Sequence, residues 1–318
     1  MSSEYGVFYG DNLLNYPAQK VPIIEHILYE NDVICISSKP GTGKSVLAKQ
    51  WLCNLTTGND FLDTYKVSRE YSVLYIQTEG DRSETIERLE QMSGGLNVNN
   101  SNWVHINQPG LMINTTVGFS NLMKLALEPK MIYDVIILDP LYTTVKGSMK
   151  EDSVATDWVR NMRTFKGRFG KTALVILHHT TKDVFFQGNI VEKDTGDIYG
   201  STFWGAFVNQ NFQLKQQGGV HYLERGKQRS GRIVDKVAMK MLEPRPLMYV
   251  NDDANLDIGT AKVSKVLKEG MQKMTAKQIH KQLDVSQATV YRALQKLLGN
   301  NLVTNETEGK ESYYVWKD

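Results

Sequence analysis

The stretch Ser37-Ser-Lys-Pro-Gly-Thr-Gly-Lys-Ser45 decides the fold of this chain. It follows an apolar run at residues 33–38 and leads into a helical pattern at residues 45–57. In a strand–turn–helix connection of this kind, glycines let backbone N–H groups curl around a phosphate, and the helix adds its positive dipole end. The full phosphate-loop pattern has glycine where this chain has Ser38, whereas the part that surrounds the phosphate is intact.

The same turn predicts a site for ATP and Mg²⁺. The Lys44 ammonium group would reach the β- and γ-phosphate oxygens, and the Ser45 hydroxyl would bind Mg²⁺. The predicted nucleotide-binding residues are Lys39, Pro40, Gly41, Thr42, Gly43, Lys44 and Ser45.

Short β-branched apolar runs alternate with helical patterns after this turn. Strands are predicted at residues 33–38, 72–77, 134–138 and 172–177, and helices at 45–57, 83–92, 119–128 and 152–169. Continuous apolar strands separated by helices predict an α/β fold with a mainly parallel sheet covered on both faces. Three further strand patterns, joined by glycine-containing turns, predict an antiparallel edge of the same sheet. They cover residues 207–214, 220–226 and 232–242.

Polar side chains follow the predicted parallel strands. Asp139 ends an apolar strand, which is where a carboxylate that helps to hold Mg²⁺ is expected. The strand at 72–77 runs into Thr78-Glu-Gly-Asp81, and the last parallel strand ends in His178 and His179. Because side chains alternate along a strand, only one of the two histidines can point into the site.

Two cations, Lys227 and Arg229, occur in the run Leu223-Glu-Arg-Gly-Lys-Gln-Arg-Ser-Gly231. This run predicts the tip of an antiparallel hairpin, where a cation is ordinarily solvated. In a ring of subunits, the same cations would reach the γ-phosphate of the neighbouring subunit as an arginine finger.

Taken together, these motifs resemble those of the RecA-like hexameric helicases. The turn Gln77-Thr-Glu-Gly80 and the run Leu177-His-His-Thr-Thr-Lys182 look like the plasmid RepA helicase family. The run Lys227-Gln-Arg-Ser-Gly231 is similar to the Lys-x-Arg finger motif of the DnaB replicative helicases. The resemblance covers residues 23–241 and implies a homohexamer with nucleotide between subunits and single-stranded DNA in a central channel.

The resemblance also implies a role for each matched residue. Lys44 and Ser45 take the Walker A roles, and Asp139 takes the Walker B role as a second residue of the Mg²⁺ site. In RecA-like folds, a carboxylate at the position of Glu79 orients and deprotonates the attacking water; Asp81 is the alternative base.

Three residues would respond to the γ-phosphate. His179 is the predicted sensor, because the second position of the pair aligns with the sensor of this superfamily, and His178 is the alternative. Lys227 and Arg229 would act in trans.

Two predicted loops would face the DNA channel. The first covers residues 143–152 and the second covers residues 182–199. Basic and aromatic residues on mobile loops are typical of sequence-independent binding to single strands, although acidic residues in the same loops oppose the electrostatic attraction. The candidates for single-strand contact are Lys146, Lys150, Phe185, Phe186 and Lys193.

Pro244, Pro246 and the polar run at 251–257 indicate a domain boundary. The predicted organisation is an ATPase domain at residues 1–250 with its core at about 20–245, a linker at 251–259, and a second domain at 260–318. Residues 259–318 carry ten Lys and Arg against six Asp and Glu, a balance of +4, which leaves a balance of −2 for the rest of the chain.

The second domain has the pattern of a winged helix-turn-helix. Helices are predicted at 260–271, 275–283 and 286–298, followed by a hairpin at 302–316. Thr275 and Ser286 are suited to cap the second and third helices. The residues that would contact a DNA groove are Gln287, Thr289 and Arg292. Winged helices also dock proteins, so either DNA or a protein remains open as the partner.

The sequence has no apolar stretch of about 18–20 residues, the length that crosses a bilayer, and no basic-then-apolar leader. Cys35 and Cys53 fall in predicted core elements, where small buried hydrophobic residues of a reducing compartment are expected. We therefore expect a soluble cytoplasmic protein with no membrane partner.

The leading hypothesis is an ATP-dependent DNA helicase or translocase of plasmid or phage replication. A RecA-type recombination ATPase is the alternative that would form filaments and need no Lys-x-Arg hairpin in trans. A third hypothesis is a DNA-binding replication initiator or regulator whose ATPase acts as a switch.

Overall fold

The computed structural model describes most of the chain. The described residues are 20–62, 64–93, 102–180, 184–186, 189–191, 200–228, 236–242, 247–250, 258–270, 273–283, 286–299, 302–308 and 311–317. They form an α/β core and a smaller C-terminal unit.

The core is built on a nine-stranded sheet with the order β13-β12-β11-β10-β3-β7-β6-β4-β5. Its strands are β3 (Val33–Ser38), β4 (Val73–Gln77), β5 (Trp103–Asn107), β6 (Val135–Asp139), β7 (Ala173–His179), β10 (Gln210–Gln217), β11 (Val220–Gln228), β12 (Lys236–Leu242) and β13 (Leu247–Val250). The six strands from β10 to β5 are parallel to one another, and β10 to β13 form the antiparallel edge. The predicted mainly parallel sheet with an antiparallel edge is thus present.

Five helices and two small hairpins complete the described core. The helices are α1 (Lys44–Thr57), α2 (Arg82–Ser93), α3 (Thr116–Leu127), α4 (Asp152–Gly167) and α5 (Thr202–Phe207). The hairpins are formed by β1 (Pro22–Ile24) with β2 (Leu28–Tyr29) and by β8 (Val184–Phe186) with β9 (Asn189–Val191).

Both faces of the parallel strands are buried, which explains their continuous apolar sequences. In β3, Ile34 and Ile36 join one hydrophobic cluster with Trp51 of α1. Val33 and Cys35 point to the other face and join a second cluster with helix α4. The sheet therefore has helices on both faces, with one hydrophobic cluster between the sheet and the helices on each face.

The antiparallel edge joins the parallel strands through β10. The predicted strand at 207–214 begins at Gln210 in the structure, because helix α5 extends to Phe207. β10 pairs with β3 in parallel, from Gln210↔Ile34 to Leu214↔Ser38, and with β11 in antiparallel. An alternating strand pattern records which residues are buried and carries no information about the direction of the neighbouring strand, so the parallel pairing with β3 was not predictable from it.

The C-terminal unit has the predicted winged-helix architecture. It contains α6 (Ile258–Glu269), β14 (Met274–Thr275), α7 (Ala276–Gln282), α8 (Gln287–Gly299), β15 (Val303–Glu308) and β16 (Glu311–Trp316). The three strands form a sheet with the order β14-β16-β15. Helix α6 begins at Ile258, inside the segment predicted as a linker, and residues 251–257 lie outside the described part.

Local sequence signals set the ends of the C-terminal helices. Thr275 and Gln278 form a reciprocal capping box at the start of α7, and the Ser286 hydroxyl accepts a hydrogen bond from the Thr289 N–H at 3.2 Å before α8. The apolar stripe of α8 is fully buried, as its spacing predicts. Its members are Val290, Leu294 and Leu297.

Within the described part of the chain, every helix falls short of the length and apolarity that a membrane-crossing segment requires.

Gly118 provides a test of how tightly helix α3 packs. A Cβ at this position would lie 2.0 Å from the Met112 carbonyl oxygen, so alanine would force the helix away from the preceding turn. We expect Gly118→Ala to lower the free energy of unfolding by about 1–3 kcal/mol, the usual cost of overpacking, measured by urea denaturation.

Gly167, in helix α4, is the matched control, because a Cβ there meets no heavy atom within 4 Å. Since alanine is a better helix former than glycine, Gly167→Ala should raise the free energy of unfolding by up to about 1 kcal/mol. Equal effects of the two substitutions would contradict the close approach at Gly118.

Candidate functional site

The parallel strands bring four polar chain segments to one edge of the sheet. Ser38 at the end of β3 aligns with His179 of β7, and Gln77 at the end of β4 aligns with Asp139 of β6. A cavity of about 650 Å³ opens at this edge, where ligands bind in open α/β sheets. Its lining residues are Pro40, Gly41, Gly43, Lys44, Ser45, Val46, Glu79, Arg88, Asp139, Pro140, Tyr142, His179 and Met241.

The phosphate turn connects β3 to helix α1 through two glycines in the left-handed region. Gly41 has φ 77° and Gly43 has φ 93°, a conformation that side chains with a Cβ rarely adopt. Gly43 is the N-cap of α1, and none of the described side chains caps this helix start. The first N–H groups of α1 therefore face the cavity as donors for an anion.

Lys44 is held at the centre of the turn with 7% of its surface exposed. Its Nζ donates to the Ser38 hydroxyl at 2.8 Å and lies 3.4 Å from Nδ1 of His179. Burial lowers the pKa of Lys44, and the negative charges of Asp139 and Glu79 oppose that effect. Ser38, the residue that departs from the phosphate-loop pattern, thus helps to orient the lysine.

The Ser45 hydroxyl donates to Oδ1 of Asp139 at 3.2 Å. This contact puts the two residues predicted for Mg²⁺ side by side. A hydroxyl and a carboxylate are oxygen ligands suited to Mg²⁺, which commonly takes one or two protein ligands and completes its shell with phosphates and waters. The donor set therefore fits the ion.

Two buried residues that the sequence did not indicate fix the other oxygen of Asp139. The Tyr75 hydroxyl donates to Oδ2 of Asp139 at 2.6 Å, and Nζ of Lys49 donates to the Tyr75 hydroxyl at 3.3 Å. Lys49 is only 3% exposed, and burial lowers its pKa. A signal existed, because Lys49 lies four residues after Ser45 on the same face of a helix.

Glu79 lines the cavity, and burial raises its pKa, with a further contribution from the nearby charge of Asp139. The alternative base, Asp81, is exposed like Glu79 but is not among the lining residues, and it accepts a hydrogen bond from the Glu84 N–H at 2.8 Å at the start of helix α2. The geometry therefore favours Glu79 over Asp81 as the carboxylate that faces a nucleotide.

The two histidines have different environments, as strand alternation predicts. His178 is fully buried, whereas His179 lines the cavity beside Lys44. Burial lowers the pKa of His179, and the charge of Lys44 lowers it further, which favours the neutral ring.

Tyr142 is a cavity residue that the sequence analysis missed. It lies in the short helical turn Tyr142–Thr144 that follows β6, and its hydroxyl donates to Oε1 of Glu79. Its ring centroid lies 4.7 Å from that of His179. A tyrosine three residues beyond a strand end carries no recognisable sequence signal, because its partners come from two other strand ends.

Of the two residues predicted to act in trans, Lys227 is the one that the structure describes. Lys227 is near the end of β11, where Gln228 pairs with Gln210, and Gln210 pairs with Ile34 at the beginning of β3. The backbone of Lys227 is thus at the edge of the sheet opposite the phosphate turn. Arg229 lies outside the described residues.

The first predicted channel loop is anchored rather than free. Lys146 and Lys150 have exposed side chains, but the Lys146 N–H donates to Oδ1 of Asn114 at 2.8 Å. The Met149 carbonyl accepts hydrogen bonds at 2.9 Å from both the Ser201 N–H and Nε1 of Trp204. These bonds hold the segment against α3 and α5.

The second predicted channel loop contains a hairpin. Phe185 and Phe186 belong to β8, where they pair with Ile190 and Asn189 of β9. The expectation of a loop is therefore wrong for these two residues. Lys193 lies outside the described residues.

In the C-terminal unit, Gln287 and Arg292 are exposed on α8, and Thr289 is half-buried. A second cavity of about 230 Å³ lies between α6 and α8. It is lined by Thr260, Thr289, Arg292, Ala293 and Lys296.

Comparison with known proteins identifies both parts of the chain. A family model described as AAA domain matches residues 8–184, and one described as sugar-specific transcriptional regulator TrmB matches residues 264–318. A search of curated proteins returns no match.

Solved structures show the fold of the core. The ATPase domain of G40P matches with a TM-score of 0.54 at 14% identity, over 70% of this chain and 86% of that one. A DnaB-like replicative helicase, solved for its interactions with primase, matches with a TM-score of 0.52 at 13% identity, over 69% of this chain and 59% of that one. The RadB recombinase matches with a TM-score of 0.49 at 14% identity, over 70% of this chain and 92% of that one.

At such identities the matches to the G40P domain and to the DnaB-like helicase show the fold alone: the core has a RecA-like P-loop ATPase fold, and a winged helix follows it. The AAA domain model extends from before the phosphate turn to the end of β7 and beyond, and it spans more than half of the sequence. The chain belongs to the AAA domain family.

Proposed function

We propose that this protein is an ATP-dependent DNA helicase or translocase of the RecA-like hexameric class, akin to the RepA-type helicases of plasmid or phage replication. It would couple ATP hydrolysis at subunit interfaces to movement on single-stranded DNA. One observation carries the hydrolytic part of the proposal: Lys44, the Ser45–Asp139 pair and Glu79 line one cavity at the ends of four parallel strands.

The cis residues account for nucleotide binding. The phosphates would accept hydrogen bonds from the N–H groups at the start of α1 and from Lys44, which would exchange its bond to the Ser38 hydroxyl for a phosphate oxygen. Mg²⁺, held by Ser45 and Asp139, would neutralise charge that develops on the transferred phosphoryl group. Tyr75 would keep Asp139 oriented toward the ion.

Glu79 would act as the general base. A base is most effective when its pKa lies near the working pH, and burial moves the pKa of Glu79 in that direction. His179, neutral and beside Lys44, would respond to the γ-phosphate from the neighbouring strand end.

The placement of Lys227 agrees with a role in trans. Because β11 carries its backbone to the edge of the sheet opposite the phosphate turn, a contact with a nucleotide phosphate would have to be made to another copy of the chain. The trans action of Lys227 and Arg229 in a homohexamer is the arrangement that the sequence resemblance implies.

Single-stranded DNA would run along the segments after β6 and β7. The exposed Lys146 and Lys150 side chains are available for phosphate contacts. Phe185 and Phe186, in the β8–β9 hairpin, would stack with DNA bases. Gln287, Thr289 and Arg292 would contact duplex DNA through the winged helix.

A second candidate function is an ATP-switched DNA-binding regulator or initiator. The match of residues 264–318 to a transcriptional regulator model favours it. In that case α8 would bind a specific site on duplex DNA. ATP binding and hydrolysis by the core would switch that DNA binding on or off, and the protein would not unwind the duplex.

The predicted base separates binding from hydrolysis. We expect Glu79→Gln to lower kcat for ATP by ~10²–10⁴-fold, the usual contribution of a general base, while ATP still binds.

Lys44→Ala should weaken ATP binding about 10- to 100-fold, because a charge-assisted hydrogen bond is lost. Steady-state phosphate release and binding of a fluorescent ATP analogue measure the two effects. Asp81→Asn is the matched control, and it should leave kcat within about twofold since Asp81 points to the start of α2.

Action in trans predicts complementation between two inactive variants. Lys44→Ala and Arg229→Ala should each abolish ATP-dependent unwinding of a forked duplex. Mixed rings should regain part of the activity, because some interfaces pair an intact phosphate turn with an intact finger. Unwinding and particle mass are measured on the same samples.

Lys171→Ala is the control for charge removal, since Lys171 is exposed and pairs with Glu30. It should unwind like the wild type. Filaments instead of rings, or no recovery in mixtures, would contradict the hexameric helicase and leave the recombination ATPase or the regulator.

The winged helix is tested by duplex binding. Arg292→Ala should weaken binding and lower the slope of log K against log salt by about 1, as expected when one phosphate contact is lost. Lys281→Ala, an exposed cation on α7, is the comparison variant. Tight binding to one duplex sequence together with failure to unwind would favour the regulator.

A further inference from the structure

The turn that carries Tyr142 is fixed to two strand ends. The Leu141 N–H donates to the Leu177 carbonyl of β7 at 2.8 Å. The hydroxyls of Thr143 and Thr78 are 2.6 Å apart, which joins the turn to the segment after β4. The backbone of Tyr142 is therefore held in place by β7 on one side and by the Glu79 turn on the other.

The backbone of Glu79 is similarly fixed. Nε2 of Gln77 donates to the Glu79 carbonyl at 2.6 Å, and the Thr85 hydroxyl donates to Oε1 of Gln77 at 2.6 Å. Gly80 follows with φ 76°, which turns the chain sharply into helix α2. These bonds fix the position of the Glu79 backbone. They do not fix the direction of its carboxylate, which depends on a contact made by another side chain.

Tyr142 supplies that orientation in the described part of the chain. Its hydroxyl donates to Oε1 of Glu79, and its ring packs against His179 at an interplanar angle of 54°. Tyr142 is 37% exposed, so the contact lies at the mouth of the cavity where a nucleotide would enter.

We propose that Tyr142 is a positioning residue for the catalytic carboxylate: its hydroxyl holds Oε1 of Glu79, so that Oε2 is aimed at the attacking water. The inference rests on the proposed ATPase function and adds a residue to it. Tyr142 does not take the proton itself; it acts through Glu79. The contact of its ring with His179 holds the hydroxyl in position near the end of β7.

The hydrogen bond also affects the charge of Glu79. Burial and the charge of Asp139 raise the pKa of Glu79, and the charge of Lys44 lowers it. Donation from a hydroxyl stabilises a carboxylate and so acts in the same direction as Lys44. Without the hydroxyl, the pKa of Glu79 rises further, and the ionised base is lost at a higher pH. The acidic limb of the kcat profile must then move to higher pH.

The test compares Tyr142→Phe with wild type in the full-length protein, with ATP, Mg²⁺ and single-stranded DNA. Phenylalanine keeps the ring against His179 and removes only the hydroxyl. Because a general base supplies ~10²–10⁴-fold, its misorientation should lower kcat about 5- to 20-fold. We expect KM for ATP to stay within about twofold, because ground-state binding is untouched, and the acidic limb to shift upward.

Two further variants keep the result interpretable. Tyr133→Phe removes a tyrosine hydroxyl that donates to the Ala126 carbonyl at 3.0 Å, in the core and away from the cavity. It should lower the thermal midpoint without changing kcat or the pH profile. Tyr142→Leu removes both hydroxyl and ring and should lower kcat at least as much as Tyr142→Phe.

Each outcome decides the proposal. Unchanged kcat and pH profile in Tyr142→Phe, with an active wild type, would overturn it. A raised KM with unchanged kcat would also overturn it and assign Tyr142 to nucleotide binding. Absence of ATPase activity in the wild type would instead refute the proposed function on which the inference rests.

Discussion

Parallel pairing of β3 with β7 is the interaction on which the site depends. The register runs from Val33↔Leu174 to Ser38↔His179, so the residue before the phosphate turn lies beside the residue that ends β7. Lys44, one turn later, then contacts both strand ends. Because side chains alternate with period two, a slip of one residue would replace His179 with a side chain pointing to the other face. The buried clusters on both faces hold the register.

Buried charge is the second constraint on this edge of the sheet. An isolated ammonium or carboxylate is costly to remove from water, and the structure balances each one with a partner. Lys44 donates a hydrogen bond to the Ser38 hydroxyl. Lys49 donates to the Tyr75 hydroxyl, which in turn donates to Asp139. The serine at position 38, where the general pattern has glycine, therefore has a physical role, since its hydroxyl accepts a hydrogen bond from the buried Lys44.

The sequence predicts what local patterns determine. The phosphate turn, the parallel strands and the caps at Thr275 and Ser286 are encoded within a few residues, so they were predictable. Three features depend on partners that are distant in the chain: the parallel direction of β10, the presence of strand β5 and the Tyr75–Asp139 hydrogen bond. Such partners are about 30 to 180 residues apart; Ser37 of β3 and Phe212 of β10, for example, are separated by 175 residues. No local pattern records them. The roles of the site residues remain predictions that the geometry supports.

The length of β11 bears on how the site would be completed. Leu223 aligns through Leu214 with Ser38, beside the phosphate turn. From there, four residues of β-strand carry the chain to Lys227, about 13 Å along the sheet at ~3.3 Å per residue. The two strand spacings between β3 and β11 add about 10 Å sideways. The backbone of Lys227 is therefore farther from the phosphate turn of its own subunit than a lysine side chain reaches. Under the proposed function, an isolated subunit would bind ATP with its own residues and hydrolyse it slowly, and assembly would supply the missing charge.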